Sequence, residues 1–241
     1  MNIEVFTITY NEEKMLPFFL NHYSKFCNKI TIFDNYSDDD TDEIIKSFDK
    51  CKLNFIKCNT GGTLNDSVYL NIKNNCWKQS KSDYVIIVDC DEFIYSENIN
   101  EFFDHHTHDI YQPYGYDMWS LNFPKDDILG EVKTGGRSIN YDKVCVFNPS
   151  KIKDINYDLG CHQASPVSNI GHRILPFRSE DLKLLHYKNI SFDYRINKHR
   201  QYYQRLSEFN ISTGAGIHYS YDEDQQLSEF NELGYRSTII I

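Results

Sequence analysis

The chain is poor in tryptophan, with 2 residues, and none of its 7 cysteines stands in a Cys-x-x-Cys pair. The scattered spacing and odd number argue against a zinc ribbon or a disulfide framework, so reduced, mostly buried thiols in a cytosolic protein are expected. No apolar run approaches the roughly 18 residues that a bilayer-spanning helix needs, and no basic stretch precedes an apolar run at the N-terminus, so the sequence reads as soluble and cytoplasmic. Basic residues are the minority: 25 Lys+Arg against 35 Asp+Glu give a formal charge of −10. Without a basic stripe, a protein that tracks a nucleic-acid backbone or docks on an anionic membrane is disfavoured. Repeats, low-complexity runs and Gly/Pro-rich linkers are also missing, which leaves one domain over residues 1–241.

What is present is globular: 40% hydrophobic, 25% charged, and 15% aromatic through 18 Tyr and 16 Phe. Tyr-rich pockets often face sugars or nucleobases. Ile3 to Thr9 is a β-branched and aromatic run ending in Tyr10-Asn11-Glu12-Glu13, after which Leu16, Phe19, Leu20 and Tyr23 take helical spacing. A second strand, Lys29 to Phe33, is closed by Asp34-Asn35-Tyr36-Ser37, and a helix resumes at Asp42 with Ile44, Ile45 and Phe48. Leu53 to Lys57 gives a third strand, a helix is expected over about Asp66 to Gln79, and Tyr84 to Val88 is a fully apolar strand ending in Asp89-Cys90-Asp91-Glu92. Alternation of this kind predicts an α/β fold with a mostly parallel central sheet, whose ligands bind beyond the carboxyl ends of the strands. Asn11 and Glu12, Asp34 and Ser37, and Asp89 and Asp91 all fall there.

The second half is less regular. Tyr114 to Phe123, Val144 to Phe147 and Leu182 to His186 read as strands, Tyr157 to Pro166 as an irregular loop, and Ser191 to Phe209 as one amphipathic helix. Thr238 to Ile241 reads either as an edge strand or as a sticky end.

Two carboxylates leaving a buried strand on alternate residues, Asp89 and Asp91, need compensation, and a divalent cation bound through hard oxygen ligands is the usual one. A solvated strand end is the plainer reading. Asp34 fits a turn or cap, and equally an acceptor for an imide N–H or a ribose hydroxyl. His186 reaches a strand end as Asp89 does, where its imidazole would complete a coordination sphere. His105, His106 and His108 read as solvated, while His162 and His218 follow glycines that permit close approach. Lys198 and Arg195, one helical turn apart, suit either a solvated face or a diphosphate contact; Lys73 and Lys78 are weaker candidates of the same kind.

Thr9-Tyr10-Asn11-Glu12-Glu13, then Phe33-Asp34-Asn35-x-Ser37-x-Asp39-x-Thr41, then Asp83 through Asp89-Cys-Asp91-Glu92-Phe93 resemble the successive signatures of GT-A glycosyltransferases related to family 2. Leu184-Leu-His-Tyr-Lys188 and the stretch from Arg205 to Tyr219 resemble a subgroup found in polysaccharide-building systems. The resemblance implies a single GT-A domain, with a nucleotide-sugar-binding half over about 1–100 and an acceptor-side half over about 101–241. It also implies a nucleotide-diphosphate sugar donor, more readily a UDP-sugar, and a divalent cation, Mn2+ or Mg2+. The acceptor would be a glycan or glycolipid, the outcome inverting, and any membrane contact peripheral, through a membrane-bound assembly. Carried over by position, Thr9, Asn11, Glu12 and Asp34 would line the base and ribose pocket, Asp89 would touch ribose or metal, Asp91 would bind the metal, and His186 would be its third ligand. Relatives often supply the base as an aspartate in a late Glu-Asp pair, and no such pair follows Val144 to Pro149. Asp158, His162 and Glu92 are the candidates that remain.

Other classes fit less well. A haloacid-dehalogenase-type phosphatase would use Asp89 as nucleophile but expects Thr or Val where Phe93 stands. A nucleotidyltransferase opens on a Gly-rich loop that Thr7 to Glu13 lacks. A non-catalytic nucleotide-sugar-binding relative would have little reason to keep Asp89, Asp91 and His186 together.

Overall fold

The computed structural model describes residues 1–241. The first half runs β1 (Ile3–Thr9), α1 (Leu16–Tyr23), β2 (Lys29–Asp34), α2 (Thr41–Ser47), β3 (Lys52–Lys57), α3 (Asp66–Asn75) and β4 (Tyr84–Ile87). It continues through β5 (Glu92–Tyr95), α4 (Ile99–His105), β6 (Ile110–Tyr111), β7 (Tyr114–Ser120), α5 (Ile128–Glu131), β8 (Thr134–Arg137) and β9 (Val146–Phe147). The remainder is β10 (Ile152–Asp154), β11 (Val167–Ser168), β12 (Lys183–Ile190), α6 (Phe192–Gln204), α7 (Glu208–Thr213), α8 (Glu223–Arg236) and β13 (Thr238–Ile239).

The strands of the first half form the sheet β3-β2-β1-β4-β9-β6. Its four βα-linked strands are parallel, and β9 and β6 close the edge antiparallel. Alternate side chains of β4 serve opposite faces: Ile86 and Val88 join a cluster with Phe19 and Leu20 of α1, while Val85 and Ile87 join one with Trp77 and Phe147. A parallel sheet covered on both faces needs this uninterrupted apolar run, each side chain contributing about 1.5–3 kcal/mol by burial.

The second half builds a sheet of its own, β13-β8-β7-β12-β5, which the sequence reading did not anticipate. The two sheets meet where the chain passes from β4 to β5 through Val88-Asp89-Cys90-Asp91, so the acidic motif occupies the crossing itself. Because β5 pairs antiparallel with β12, Glu92 stands opposite His186. His186 therefore lies within an eight-residue strand and not at its end: Asn189 and Ile190 continue the pairing with β7.

Helix ends follow local capping. The stretch expected as one helix from Ser191 to Phe209 breaks after Gln204, because Ser207 starts a new N-cap by accepting from the N–H of Asn210. Leu206, between the two helices, forms a parallel bridge with Leu64. Helix α3 is capped by Asn65 and ends at Asn75, earlier than its apolar spacing suggests. The C-terminal tail does pair as an edge, Thr238 and Ile239 lying antiparallel to β8.

His22 on α1 is enclosed by the rings of Tyr23, Phe26 and Phe93, and its Nε2–H donates to the Ile94 carbonyl at 2.9 Å. Burial pushes its pKa down to about 4 from 6.5. A folded value below the unfolded one gives stability that is present at neutral pH and lost as pH falls from about 6.5 toward 4. The loss at the acid end is about 3 kcal/mol. In an NMR titration His22 should stay neutral down to about pH 4, and His22→Gln should lack this part of the acid destabilisation; a His22 midpoint near 6.5 would contradict the assignment.

Candidate active site

A cleft of about 390 Å³ opens at the carboxyl ends of β1 and β4 and is walled by α3, β12 and the segments around residues 141–143, 159–162 and 215–219. Asp89, Asp91 and Glu92 enter it from the sheet crossing, and His186 enters from β12.

The two aspartates of the motif differ in their partners. Asp89 Oδ1 lies 2.5 Å from Lys73 Nζ and its Oδ2 lies 3.5 Å from Lys143 Nζ; its side chain is 39% exposed. Burial works against ionisation, but the two ammonium groups outweigh it and hold the carboxyl well below the usual carboxylate range. Lys143 also binds Glu92, which is buried and accepts the Asp89 N–H at 2.9 Å. Asp91 instead faces His186, with Oδ2 3.4 Å from Nε2. On the other side of that ring, Nδ1–H donates to Asp117 Oδ1 at 2.8 Å. Tyr141 stacks on the imidazole at 3.9 Å. Gly115 makes that stack possible, since a Cβ there would stand 2.3 Å from the Tyr141 carbonyl carbon.

The arrangement suits a divalent cation. Asp117 accepts from Nδ1–H, so a cation that displaced the Nε2 proton would find that lone pair beside a carboxylate oxygen, the carboxylate–histidine pattern by which proteins orient imidazole ligands. One carboxylate and one imidazole, with room in the cleft for ligand oxygens, match Mn2+ or Mg2+ chemistry. As the side chains stand, no three His, Cys, Asp or Glu groups converge into a closed metal cage. Asp89 is turned to its lysines.

The donor-side residues divide. Thr9 and Glu12 line the cleft, and Glu12 is pushed up to about 7, chiefly by burial, although Lys198 Nζ sits 2.7 Å from it. Asn11 and Asp34 do not line the cleft. Asn11, at φ 51°, donates to Asp38 at 2.6 Å and takes the turn role. Asp34 is fully buried and accepts from Thr9, from Ser37 and from Lys57 at 2.7 Å, leaving its oxygens engaged within the protein. Lys198 is held by Glu12, Arg195 by Asn189 and Glu229, and Lys78 by Asp154, so none of the three cations is free for a ligand. His105 and His108 are exposed, and His108 stacks on Phe177 at 3.8 Å.

Among the residues considered for a base, Asp158 accepts the Gln163 N–H at 2.9 Å and stays outside the cleft lining, and Glu92 is closed in by Lys143. His162 lines the cleft on a turn with Gly160 at φ 78° and Cys161 at φ 57°. Its Nδ1 is 2.8 Å from the Asn140 carbonyl, so Nδ1–H donates and Nε2 keeps its lone pair. Burial and the neighbouring Lys143 lower its pKa, which favours the neutral base. Asp117, Lys143, Lys188 and Arg205 escaped the sequence reading. Their hydrogen-bond partners lie 30 to 143 positions away, and only the charges themselves, unaccompanied by a local motif, mark them.

With acids on both ring nitrogens, His186 is raised to about 9 despite burial, which alone would lower it. The metal-free protein should show His186 charged through neutral pH and losing its proton only near pH 9 by NMR; Asp117→Asn should bring the midpoint down toward 6.5. A neutral His186 at pH 7 in the metal-free wild type would contradict the geometry.

Residues 4–118 match the profile of glycosyl transferase family 2, just under half of the chain, from β1 to the end region of β7. No curated protein matches the chain. Among solved structures, Staphylococcus aureus TarS (residues 1–349) aligns at 18% identity and a TM-score of 0.50, covering 98% of this chain and 72% of that one. HddC from Yersinia pseudotuberculosis aligns at 13% identity and a TM-score of 0.33, over 77% of each chain. At that identity TarS shows the fold alone, and the segment similar to the family contains Asp89 and Asp91. The chain has a GT-A fold, and its residues 4–118 are similar to glycosyl transferase family 2.

Proposed function

We propose that the protein moves a sugar from a nucleotide-diphosphate sugar, best a UDP-sugar, to a hydroxyl of a glycan or glycolipid in surface polysaccharide or glycan assembly, with inversion and with Mn2+ or Mg2+. The observation that carries this reading is the line Asp91, His186, Asp117 on the wall of a cleft at the carboxyl ends of parallel strands. Asp91 and His186 would hold the cation, whose chemistry is to neutralise the departing diphosphate. Thr9, Glu12 and the turn around Asn11 and Asp34 shape the nucleotide side, so residues 1–100 form most of that half, with His186 reaching in from the acceptor side. Asp89, braced by Lys73 and Lys143, completes the donor floor.

His162 is the base we favour. Its Nε2 takes the acceptor hydroxyl proton while Nδ1–H stays on the Asn140 carbonyl, an orientation that typically contributes 10²–10⁴-fold in rate. Asp158 lies outside the cleft lining, and both oxygens of Glu92 are engaged within the protein. Phosphatase chemistry would require Asp89 as a free nucleophile, and two lysines hold it. All seven cysteines are unpaired, in keeping with a cytoplasmic setting. No helix is long and apolar enough to cross a membrane, and any meeting with a membrane-bound assembly would be peripheral.

Thermal unfolding with a panel of nucleotide sugars, with and without manganese, tests the reading. A donor at about 100 times its dissociation constant should add roughly 2.7 kcal/mol to stability. One donor should do so only with metal, and should fail on Asp91→Ala; absence of any shift across the panel would overturn the donor assignment. His162→Ala should keep the donor-induced shift while turnover drops about 100-fold or more; an unchanged turnover would remove His162 as base.

A further inference from the structure

Four long cationic side chains line the cleft: Lys73, Lys143, Lys188 and Arg205. Lys73 and Lys143 are neutralised by Asp89 and Glu92. Lys188 and Arg205 form no ion pair. Lys188 leaves β12 two residues after His186 and enters the same cleft; its Nζ is 3.3 Å from His218 Nε2 and 5.2 Å from the Tyr219 ring. Its hydrogen-bond partner is thus an imidazole nitrogen and not a carboxylate.

Arg205 is held in place without having its charge met. Its Nε donates to the Gly62 carbonyl at 3.0 Å and its guanidinium carbon lies 3.1 Å from the centroid of the Tyr10 ring. The backbone on either side is fastened to the nucleotide half: Leu64 N–H donates to the Arg205 carbonyl at 2.6 Å, Ser207 N–H to the Leu64 carbonyl at 3.0 Å, and Asp66 N–H to Asn210 Oδ1 at 3.0 Å. Both terminal nitrogens, Nη1 and Nη2, are buried and have no hydrogen-bond partner. A buried guanidinium with idle donors is costly, and its fork is shaped to meet an oxyanion.

Lys188 stands beside His186 on β12, and Arg205 reaches the same cleft from the end of α6. In a chain of net charge −10, two cations that face a cleft with no acidic partner mark the place of an anionic ligand. We infer that Lys188 and Arg205 together grip the diphosphate of the donor, the part first considered for Lys198 and Arg195. The inference rests on the nucleotide-sugar reading and adds the residues that hold the leaving group.

Calorimetric titration of UDP and of uridine, at fixed manganese, into the full chain tests it. Lys188→Met and Arg205→Gln should each weaken UDP by about tenfold or more, the scale of a hydrogen bond to a charged group. Uridine, which lacks the phosphates, should lose far less, and Lys188→Arg should recover most of the UDP affinity. Variants that bind UDP as tightly as wild type, or that lose UDP and uridine in parallel, would overturn the assignment while leaving the donor reading standing. A UDP affinity that holds while the acceptor KM rises would also overturn it, moving the anion to the acceptor. A wild type that binds neither UDP nor uridine would overturn the donor reading and this assignment together.

Discussion

Buried carboxylate charge at the crossing between two sheets is the constraint around which this molecule is arranged. Asp89, Asp91 and Glu92 fall within a four-residue span after the apolar β4 strand; Glu92 is buried and the two aspartates are half-buried. Unpaired, each would be costly to hold ionised. Their countercharges come from three distant parts of the chain: Lys73 on α3, Lys143 before β9 and His186 on β12. The same contacts that neutralise the motif therefore draw the second half of the chain onto the first and build the walls of the cleft.

That arrangement separates two tasks which a bare pair of aspartates leaves merged. Asp89 and Glu92 with their two lysines form a charge-balanced floor. Asp91, His186 and Asp117 carry excess negative charge and one oriented imidazole, the part of the site able to take a cation. His162, Lys188 and Arg205 line the same cleft, so in the proposed reading proton acceptor, cation ligands and anion contacts share one space. A site assembled this way suits transfer between an anionic donor and a neutral hydroxyl, where positions of charge decide most of the rate.

The first half was legible because its signals are local. Strands β1 to β4 show apolar runs closed by polar turns, and their boundaries agree with the sequence reading within two residues. The second half resisted for physical reasons. Strand β5 is four residues long and starts with a glutamate whose charge is met by Lys143, a partner 51 positions away. His186 looked like a strand end because Lys188 and Asn189 are polar, yet both are partly or fully buried in a strand that continues to Ile190. Asp34 was open to two readings, turn former or ligand acceptor, and its oxygens are engaged by Thr9, Ser37 and Lys57. Local pattern finds what a residue is next to in sequence, and these roles depend on what folds against it.

The position of the cation is the most direct point of test. Crystals grown with Mn2+ and UDP, measured with anomalous scattering, should show one manganese peak bridging Asp91 and His186 Nε2, with Asp117 still on Nδ1 and with phosphate oxygens of UDP completing the sphere. A peak held by Asp34 or elsewhere, with Asp91 and His186 still facing only each other, would contradict the assignment of the site on which the rest depends.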